Sequence, residues 1–195
     1  MTKNSSLRFK YLSSLISGFD TDTKLIHDIE SVAGIFIKCL KSGGKLIFAG
    51  NGGSAAEAQH MAGEYLGRFA INRPSMASIS LSTDTSTLTA IANDYGYENV
   101  FSRQIEGLGN TSDVFIGYST SGQSQNIINA FQKATEMGIT NVGFTGKNTD
   151  TFKPYCKTIV SIPSEDTPTI QECHLIIGHI ISGQVEEMLY GDINS

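Results

Sequence analysis

Short apolar segments alternate with amphipathic segments along this chain, and this alternation is the feature that most restricts its fold. The apolar segments have the length of buried strands, and the segments between them have the length and periodicity of helices. Strands that alternate with helices form a parallel sheet, because each helix carries the chain back to the starting edge. Five strands are predicted, at residues 45–49, 75–80, 113–118, 141–144 and 158–162.

Seven helices are predicted around these strands, and the second has the clearest periodicity, with Leu25, Ile29 and Phe36 on one face. The predicted helices are 7–19, 23–41, 54–66, 83–93, 100–107, 123–137 and 169–190. The sequence therefore predicts an α/β protein with a central, mainly parallel five-stranded sheet that helices cover on both faces. We expect one domain over residues 1–195, with an N-terminal helical extension at 1–42 and an α/β core at 43–190.

Composition and charge argue against several classes of protein. Hydrophobic residues make up 39% of the chain and charged residues 17%, which is ordinary for a globular domain. The net charge is −5 without a dense Lys/Arg cluster, so we expect neither nucleic acid nor a membrane as a partner. No apolar run has the length of a membrane span and no signal-like segment begins the chain, so a cytoplasmic location is expected. The three widely spaced cysteines are expected to be reduced thiols that serve packing.

A glycine-rich turn follows the first predicted strand, where residues 50–54 read GNGGS. Glycines let the chain turn sharply and bring backbone N–H groups close to a ligand. Ser54 and Glu57 match a capping box, so a helix is expected to begin at Ser54. Because a helix N-terminus attracts anions, the turn predicts a phosphate site. The patterns of a Walker loop and of a dinucleotide fingerprint do not occur here.

A second polar turn follows the third predicted strand, where residues 119–124 read STSGQS. Its four hydroxyls can bind an oxyanion without a cationic side chain. Ligands of open α/β sheets bind at the carboxyl ends of the strands, and both turns lie at such ends. The alternative is that Ser121 or Ser124 only caps the following helix.

His60 and Glu64 lie four residues apart on the helix that follows the glycine-rich turn. This spacing places the two side chains on one helix face. The pair could bind a metal ion or exchange protons with a ligand, and the alternative is an ordinary surface pair. The helix next to the turn therefore predicts chemistry close to a phosphate site.

These segments resemble the sugar-isomerase (SIS) domain and, more narrowly, the sedoheptulose 7-phosphate isomerase family. The two polar turns carry the likeness to the domain. Three further segments narrow it, namely QHMAGE at 59–64, ANDYG at 92–96, and IQECH at 170–174 followed by His179. The resemblance extends from about residue 20 to residue 190.

The resemblance implies a three-layer SIS fold and an isomerase that converts sedoheptulose 7-phosphate to D-glycero-D-manno-heptose 7-phosphate. It also implies the first step toward activated heptoses for surface polysaccharides, one zinc ion per subunit, and a homotetramer with active sites between subunits. Its metal ligands would be His60, Glu64, Gln171 and His179, of which Glu64 and His179 would also be the catalytic acid/base pair. Its substrate contacts would be Asn51, Gly52, Gly53, Ser54, Glu64, Arg68, Asn93, Asp94, Ser119, Thr120, Ser121, Ser124 and Gln171.

The chemistry of the implied reaction suits these residue types. A proton must leave C1 and another must arrive at C2 through an enediol(ate), which takes a general acid and base near neutral pH. A zinc-bound carboxylate is a poorer base, so we expect Glu64 to change its coordination during turnover or the metal to be partly dispensable. Gln171 and His179 lie about 12 Å apart along one predicted helix, which favours a site assembled at a subunit interface.

Several of these residues also have simpler interpretations. His174 lies on an apolar stripe and is interpreted as a core residue, while Asp94 could stabilise a turn and Arg68 could pair with a surface acid. Two other functions stay open, a non-catalytic phosphosugar-binding or regulatory SIS protein and an isomerase of another ketose phosphate.

The segment before IQE departs from the family pattern, because no charged residue stands directly in front of it. Thr167 could cap the last helix with Pro168 in its first position, or Thr169 and Glu172 could form a capping box. The departure leaves the heptose preference open.

Overall fold

The computed structural model describes residues 4–191, which form one five-stranded sheet with helices on both faces. The strands are β1 (Leu46–Ala49), β2 (Ser78–Ser80), β3 (Val114–Ser119), β4 (Thr140–Thr145) and β5 (Thr158–Ser161). The helices are α1 (Ser5–Ile16), α2 (Thr23–Lys41), α3 (Gly53–Leu66), α4 (Thr85–Tyr95), α5 (Ser102–Leu108), α6 (Gln125–Glu136) and α7 (Thr167–Tyr190). Every predicted strand and helix is confirmed, with ends that differ by a few residues.

All strand pairs in the sheet are parallel, in the order β2-β1-β3-β4-β5. The chain proceeds from β1 to β2 on one side and then crosses back to place β3 on the other side of β1. A change of direction of this kind opens a crevice at the carboxyl ends of the two central strands. The crevice therefore lies between the turns that follow β1 and β3.

Two apolar clusters cover the faces of the sheet, and β1 contributes alternate residues to each. Phe48 joins the cluster formed with α2, α3 and α7, where its ring centroid lies 6.0 Å from that of Tyr65. Ile47 joins the opposite cluster with α5 and α6. Because both faces are buried, the strand reads as a continuous apolar run. The three cysteines are unbridged and pack in or against these clusters, as predicted.

The starts of two helices differ from the predictions. The N-cap of α3 is Gly52, at φ +56, so the helix begins at Gly53 and the predicted capping box at Ser54 is wrong. Glycine adopts this φ without steric cost, so no side-chain cap is required. The carboxylate of Asp166 caps α7 by accepting a bond from the Thr169 N–H at 3.2 Å, so both predicted threonine caps are wrong. Aspartate is among the strongest N-cap residues.

The N-terminal helix α1 is tied to the start of α7 by Arg8. Its guanidinium donates to Asp166 Oδ2 at 2.7 Å and to Glu172 Oε2 at 3.0 Å. The apolar side chains of Leu7, Phe9 and Tyr11 on α1 remain between 45% and 71% exposed. Among the helices within residues 4–191, none combines the length and apolar character needed to cross a membrane.

Candidate active site

The two polar turns lie side by side, because β1 and β3 are hydrogen-bonded neighbours with Ala49 opposite Gly117. A pair of amides joins the first turn to the start of α6, the helix that follows the second turn: Asn51 Nδ2 donates to Asn126 Oδ1 at 2.9 Å, and Asn126 Nδ2 donates to Asn51 Oδ1 at 2.8 Å. The Tyr97 hydroxyl also donates to Asn51 Oδ1, at 3.0 Å. The structure thus brings both predicted phosphate segments to one crevice.

The glycines of the first turn have separate structural reasons. Gly52 adopts φ +56, a left-handed value that side chains disfavour. A Cβ on Gly53 would collide with the side-chain amide of Gln171. Glycine at both positions therefore lets the N-terminus of α3 stay open while α7 approaches it.

The second turn is held together by its own hydroxyls. Ser119 Oγ lies 2.8 Å from Ser124 Oγ and 3.4 Å from Ser121 Oγ, and the Gln123 N–H donates to Ser121 Oγ at 3.1 Å. Ser124 precedes α6, but its side chain makes no capping hydrogen bond to that helix. The alternative that the Ser124 side chain serves as a helix cap is therefore not supported.

Three of the four predicted metal ligands form one cluster. His60 Nε2 lies 2.8 Å from His179 Nε2 and 3.2 Å from Glu64 Oε1. The donor atoms of all three side chains lie within 4.8 Å of one another. Imidazole nitrogens and a carboxylate oxygen are ordinary ligands of a divalent transition metal, so this donor set fits such an ion. His179 on α7 thus adds a third possible ligand atom to the His60–Glu64 pair.

Gln171, the fourth predicted ligand, lies on α7 beside the start of α3. Its amide packs against Gly53, and the side chain lines a cavity of about 400 Å³ together with His60 and Glu57. The cavity lies between the start of α3 and the start of α7. The role of Gln171 as a metal ligand stays a prediction.

Of the remaining predicted substrate residues, Arg68, Asn93 and Asp94 are exposed. Arg68 makes no hydrogen bond or ion pair within residues 4–191. Asn93 donates to Asp94 Oδ1 at 2.8 Å near the end of α4, just before Gly96 at φ +85. Thr120 is half-buried, and its carbonyl accepts a bond from the Gly146 N–H at 3.2 Å. Contacts between these residues and a sugar stay predictions.

Two buried ionisable side chains, Glu57 and His174, lie close to each other beside the cavity that Glu57 lines. His174 is 1% exposed, which confirms its interpretation as a core residue, and its Nε2 donates to the Thr145 carbonyl at 3.2 Å. Burial lowers the pKa of His174 to about 4. Burial also raises the pKa of Glu57 to about 7, although the nearby Ser54 hydroxyl opposes that change. His174 Nδ1 lies 3.7 Å from Glu57 Oε1. Near pH 7 we expect His174 to be neutral and Glu57 to be about half protonated.

Several residues around the site were not predicted from the sequence. Phe69 packs its ring against His179, with centroids 5.6 Å apart and an interplanar angle of 27°. Asn126 and Tyr97 hold Asn51. No motif or spacing marks these residues, because each acts across a long sequence separation.

Comparisons with known proteins show the family of this chain. The family model described as SIS domain matches residues 10–146. A phosphoheptose isomerase of Burkholderia pseudomallei (strain 1710b) is 52% identical over 87% of this chain and 86% of its own length. One of Clostridium acetobutylicum is 48% identical over 88% of this chain and 87% of its own length. The solved phosphoheptose isomerase of Neisseria gonorrhoeae superposes with a TM-score of 0.86 at 34% identity, covering 93% of this chain and 96% of that one.

The matched domain and the two neighbouring polar turns define the class of this protein, which is a SIS-domain protein. The chain belongs to the SIS domain family and, within it, to the phosphoheptose isomerases.

Proposed function

We propose that this protein is a ketose–aldose isomerase that converts sedoheptulose 7-phosphate to D-glycero-D-manno-heptose 7-phosphate through an enediol(ate). The observation that carries the proposal is the cluster of His60, Glu64 and His179 in a chain about half identical to phosphoheptose isomerases. The cluster supplies a carboxylate and two imidazoles, which are the groups that proton transfer between C1 and C2 requires. This reaction would be the first step toward activated heptoses for surface polysaccharides, and it would take place in the cytoplasm.

The phosphate would bind at the polar turns. The hydroxyls of Ser119, Ser121 and Ser124, with Thr120 beside them, already lie in one turn ahead of α6. Hydroxyls and helix N-terminal N–H groups bind a phosphate without a cationic side chain. In the first turn, Gly52, Gly53 and Ser54 would contribute backbone donors at the start of α3.

The proton transfers would belong to Glu64 and His179. Glu64 would act as the base that removes a proton from the sugar, and His179 as the acid that returns one. His60 Nε2 stands between them, at 3.2 Å from Glu64 Oε1 and 2.8 Å from His179 Nε2. This arrangement keeps both proton-transfer groups within one small region of α3 and α7.

The metal would be zinc, held by His60, Glu64 and His179 with Gln171 as a fourth ligand. When bound, such an ion polarises a carbonyl oxygen as a Lewis acid. The side chains of this chain would orient the sugar, hold its phosphate and move the protons.

The functional unit would be a homotetramer with active sites between subunits. Arg68, Asn93 and Asp94 are exposed and have no hydrogen bond to the His60–Glu64–His179 cluster within the described residues. Together with the exposed apolar side chains of α1, this favours completion of the site by a second copy. These three residues would then contact the sugar.

The proposed reaction is tested by NMR of the sugar after incubation of sedoheptulose 7-phosphate with the purified protein, with and without added zinc. Aldoheptose 7-phosphate is the expected product. Ribulose 5-phosphate and fructose 6-phosphate serve as parallel substrates, because the phosphate turn recognises only the phosphate. If only ribulose 5-phosphate or fructose 6-phosphate is converted, that sugar phosphate would replace sedoheptulose 7-phosphate as the assigned substrate. Binding of all three without turnover would favour the non-catalytic alternative.

Alanine at Ser119 and Ser124 is expected to weaken substrate binding. Each hydrogen bond from a hydroxyl to a charged phosphate contributes about 1.5 to 3 kcal/mol. We expect the double variant Ser119→Ala/Ser124→Ala to raise KM at least tenfold with a smaller change in kcat, measured by steady-state kinetics. Ser86→Ala, on the exposed start of α4, is the matched control. An unchanged KM would contradict the placement of the phosphate.

A further inference from the structure

A buried ion pair lies next to the candidate site, formed by Arg73 and Glu186. Arg73 Nε donates to Glu186 Oε1 at 2.8 Å, and the two side chains are 0% and 1% exposed. Arg73 lies in the segment after α3, and Glu186 lies near the end of α7. The pair therefore links the two helices that carry the His60–Glu64–His179 cluster.

The Arg73 guanidinium closes the end of α3. It donates to the carbonyl of Tyr65 at 2.8 Å through Nη1 and to the carbonyl of Glu64 at 2.8 Å through Nη2. The remaining terminal carbonyls of Gly63 and Leu66 accept bonds from the Gly67 N–H and the Ser75 hydroxyl. The last four carbonyls of a helix lack partners within the helix, so these contacts satisfy all of them. The turn that bears Glu64 is consequently held at its C-terminal end.

The Glu186 carboxylate holds the segment that follows. It accepts bonds from the backbone N–H groups of Phe69, Ala70 and Ile71, at 3.0, 2.6 and 2.7 Å. Burial alone would raise the pKa of Glu186, but these N–H donors and Arg73 lower it below its ordinary value. An ionised carboxylate with four donors fixes the backbone on either side of the Phe69 side chain.

Phe69 transmits this arrangement to the candidate site. Its ring lies 5.6 Å from the His179 ring at 27°, and it also packs near Gly183, one turn further along α7. Stacked rings prefer a defined offset, so the position of Phe69 restricts the plane of the imidazole. His179 Nε2 in that plane lies 2.8 Å from His60 Nε2.

We propose that Arg73 and Glu186 are positioning residues, which orient the His179 imidazole through Phe69 and hold the α3 turn that carries Glu64. The expected effect on catalysis rests on the proposed function, whereas the orientation of the His179 ring can be tested without it. Arg73 reaches one predicted substrate residue, Glu64, and does so only at its backbone carbonyl. Glu186 bonds to Arg73 and to the backbone of residues 69–71, and to none of the predicted substrate residues within the described chain.

The test uses the full chain with ring-labelled histidine, in metal-free and zinc-loaded form, with the His179 resonance assigned by His179→Gln. Phe69→Leu removes the neighbouring ring and is expected to shift the His179 resonance and to lower kcat about 10-fold to 100-fold, with a smaller change in KM. Arg73→Lys keeps the charge but loses the fork of donors, and Glu186→Gln loses the charge. Both are expected to move the His179 resonance in the direction of Phe69→Leu.

Glu187→Gln is the matched control, because Glu187 is the exposed neighbour of Glu186 on the same helix. It is expected to leave the resonance and kcat unchanged. If Glu186→Gln does not fold, Arg73→Lys and Phe69→Leu carry the test. An unshifted His179 resonance in folded Phe69→Leu or Arg73→Lys protein overturns the proposal. Because the resonance is read without substrate, the absence of heptose turnover in the wild type would overturn the proposed function and leave this result interpretable.

Discussion

Glu64→Gln is expected to lower kcat for heptose isomerisation by about 100-fold to 10,000-fold, the range that general acid–base groups contribute. Glutamine keeps the size of the side chain and its capacity for hydrogen bonds, but it cannot accept the proton from the sugar. Glu64 lies 3.2 Å from His60 Nε2 in the His60–Glu64–His179 cluster, so the change is confined to the proposed site. The measurement is steady-state kinetics on sedoheptulose 7-phosphate with the product identified by NMR.

Two controls separate loss of the base from loss of the metal or the fold. Zinc content is measured for each protein, because Glu64 is also a predicted ligand, and kcat is expressed per zinc-loaded site. Glu106→Gln removes an exposed carboxylate that pairs with Arg103 at 3.0 Å and is expected to leave kcat unchanged. A zinc-loaded Glu64→Gln protein that retains wild-type kcat would contradict the assignment of Glu64 as the base.

Glu57→Gln is expected to change how the free energy of unfolding depends on pH. The pKa of Glu57 is about 7 in the folded protein against 4.5 ordinarily, so the folded state holds more protons and stability falls between about pH 4.5 and 7. The pKa of His174 is about 4 against 6.5, so the unfolded state holds more protons and stability rises between about pH 4 and 6.5. In the wild type the two slopes oppose each other across about pH 4.5 to 6.5.

Replacing either Glu57 or His174 leaves only the other residue's effect on the pH dependence of the free energy of unfolding. In Glu57→Gln, stability relative to the wild type should rise by up to about 1.4 kcal/mol per pH unit across that window, the value for one proton. In His174→Asn it should fall by a similar amount. The measurement is urea unfolding at successive pH values on dilute protein, because the sequence isoelectric point is near 5.3. Parallel curves for Glu57→Gln and the wild type would show that Glu57 is ionised in the fold.

The strands and helices were predictable because each has a local cause. Buried strands such as β1 read as apolar runs, and α2 displays a helical stripe that becomes its buried face. Helix starts were less predictable, since several residues at 52–54 and 166–169 suit a cap and the backbone decides between them. Gly52 and Asp166 became the caps in place of Ser54 and the threonines.

The candidate site was predictable only in parts. The two polar turns are recognisable from their residues, and the spacing of His60 and Glu64 places them on one face. The addition of His179 came from a family resemblance, and the structure places its Nε2 within 2.8 Å of His60 across 119 residues. Gln171, which the same resemblance named, packs on Gly53 and lines one cavity with His60.

The sequence by itself determined the alternation of strands and helices, the two polar turns and the pairing of His60 with Glu64, because these depend on neighbours within a few turns of chain. Only the tertiary structure decided that β3 lies beside β1, which joins Asn51 to Asn126 across 75 residues. It likewise brought Arg73 to Glu186 across 113 residues. Such contacts follow from the order of strands and the packing of α3 on α7, and these are set by burial of the whole core and not by any local pattern.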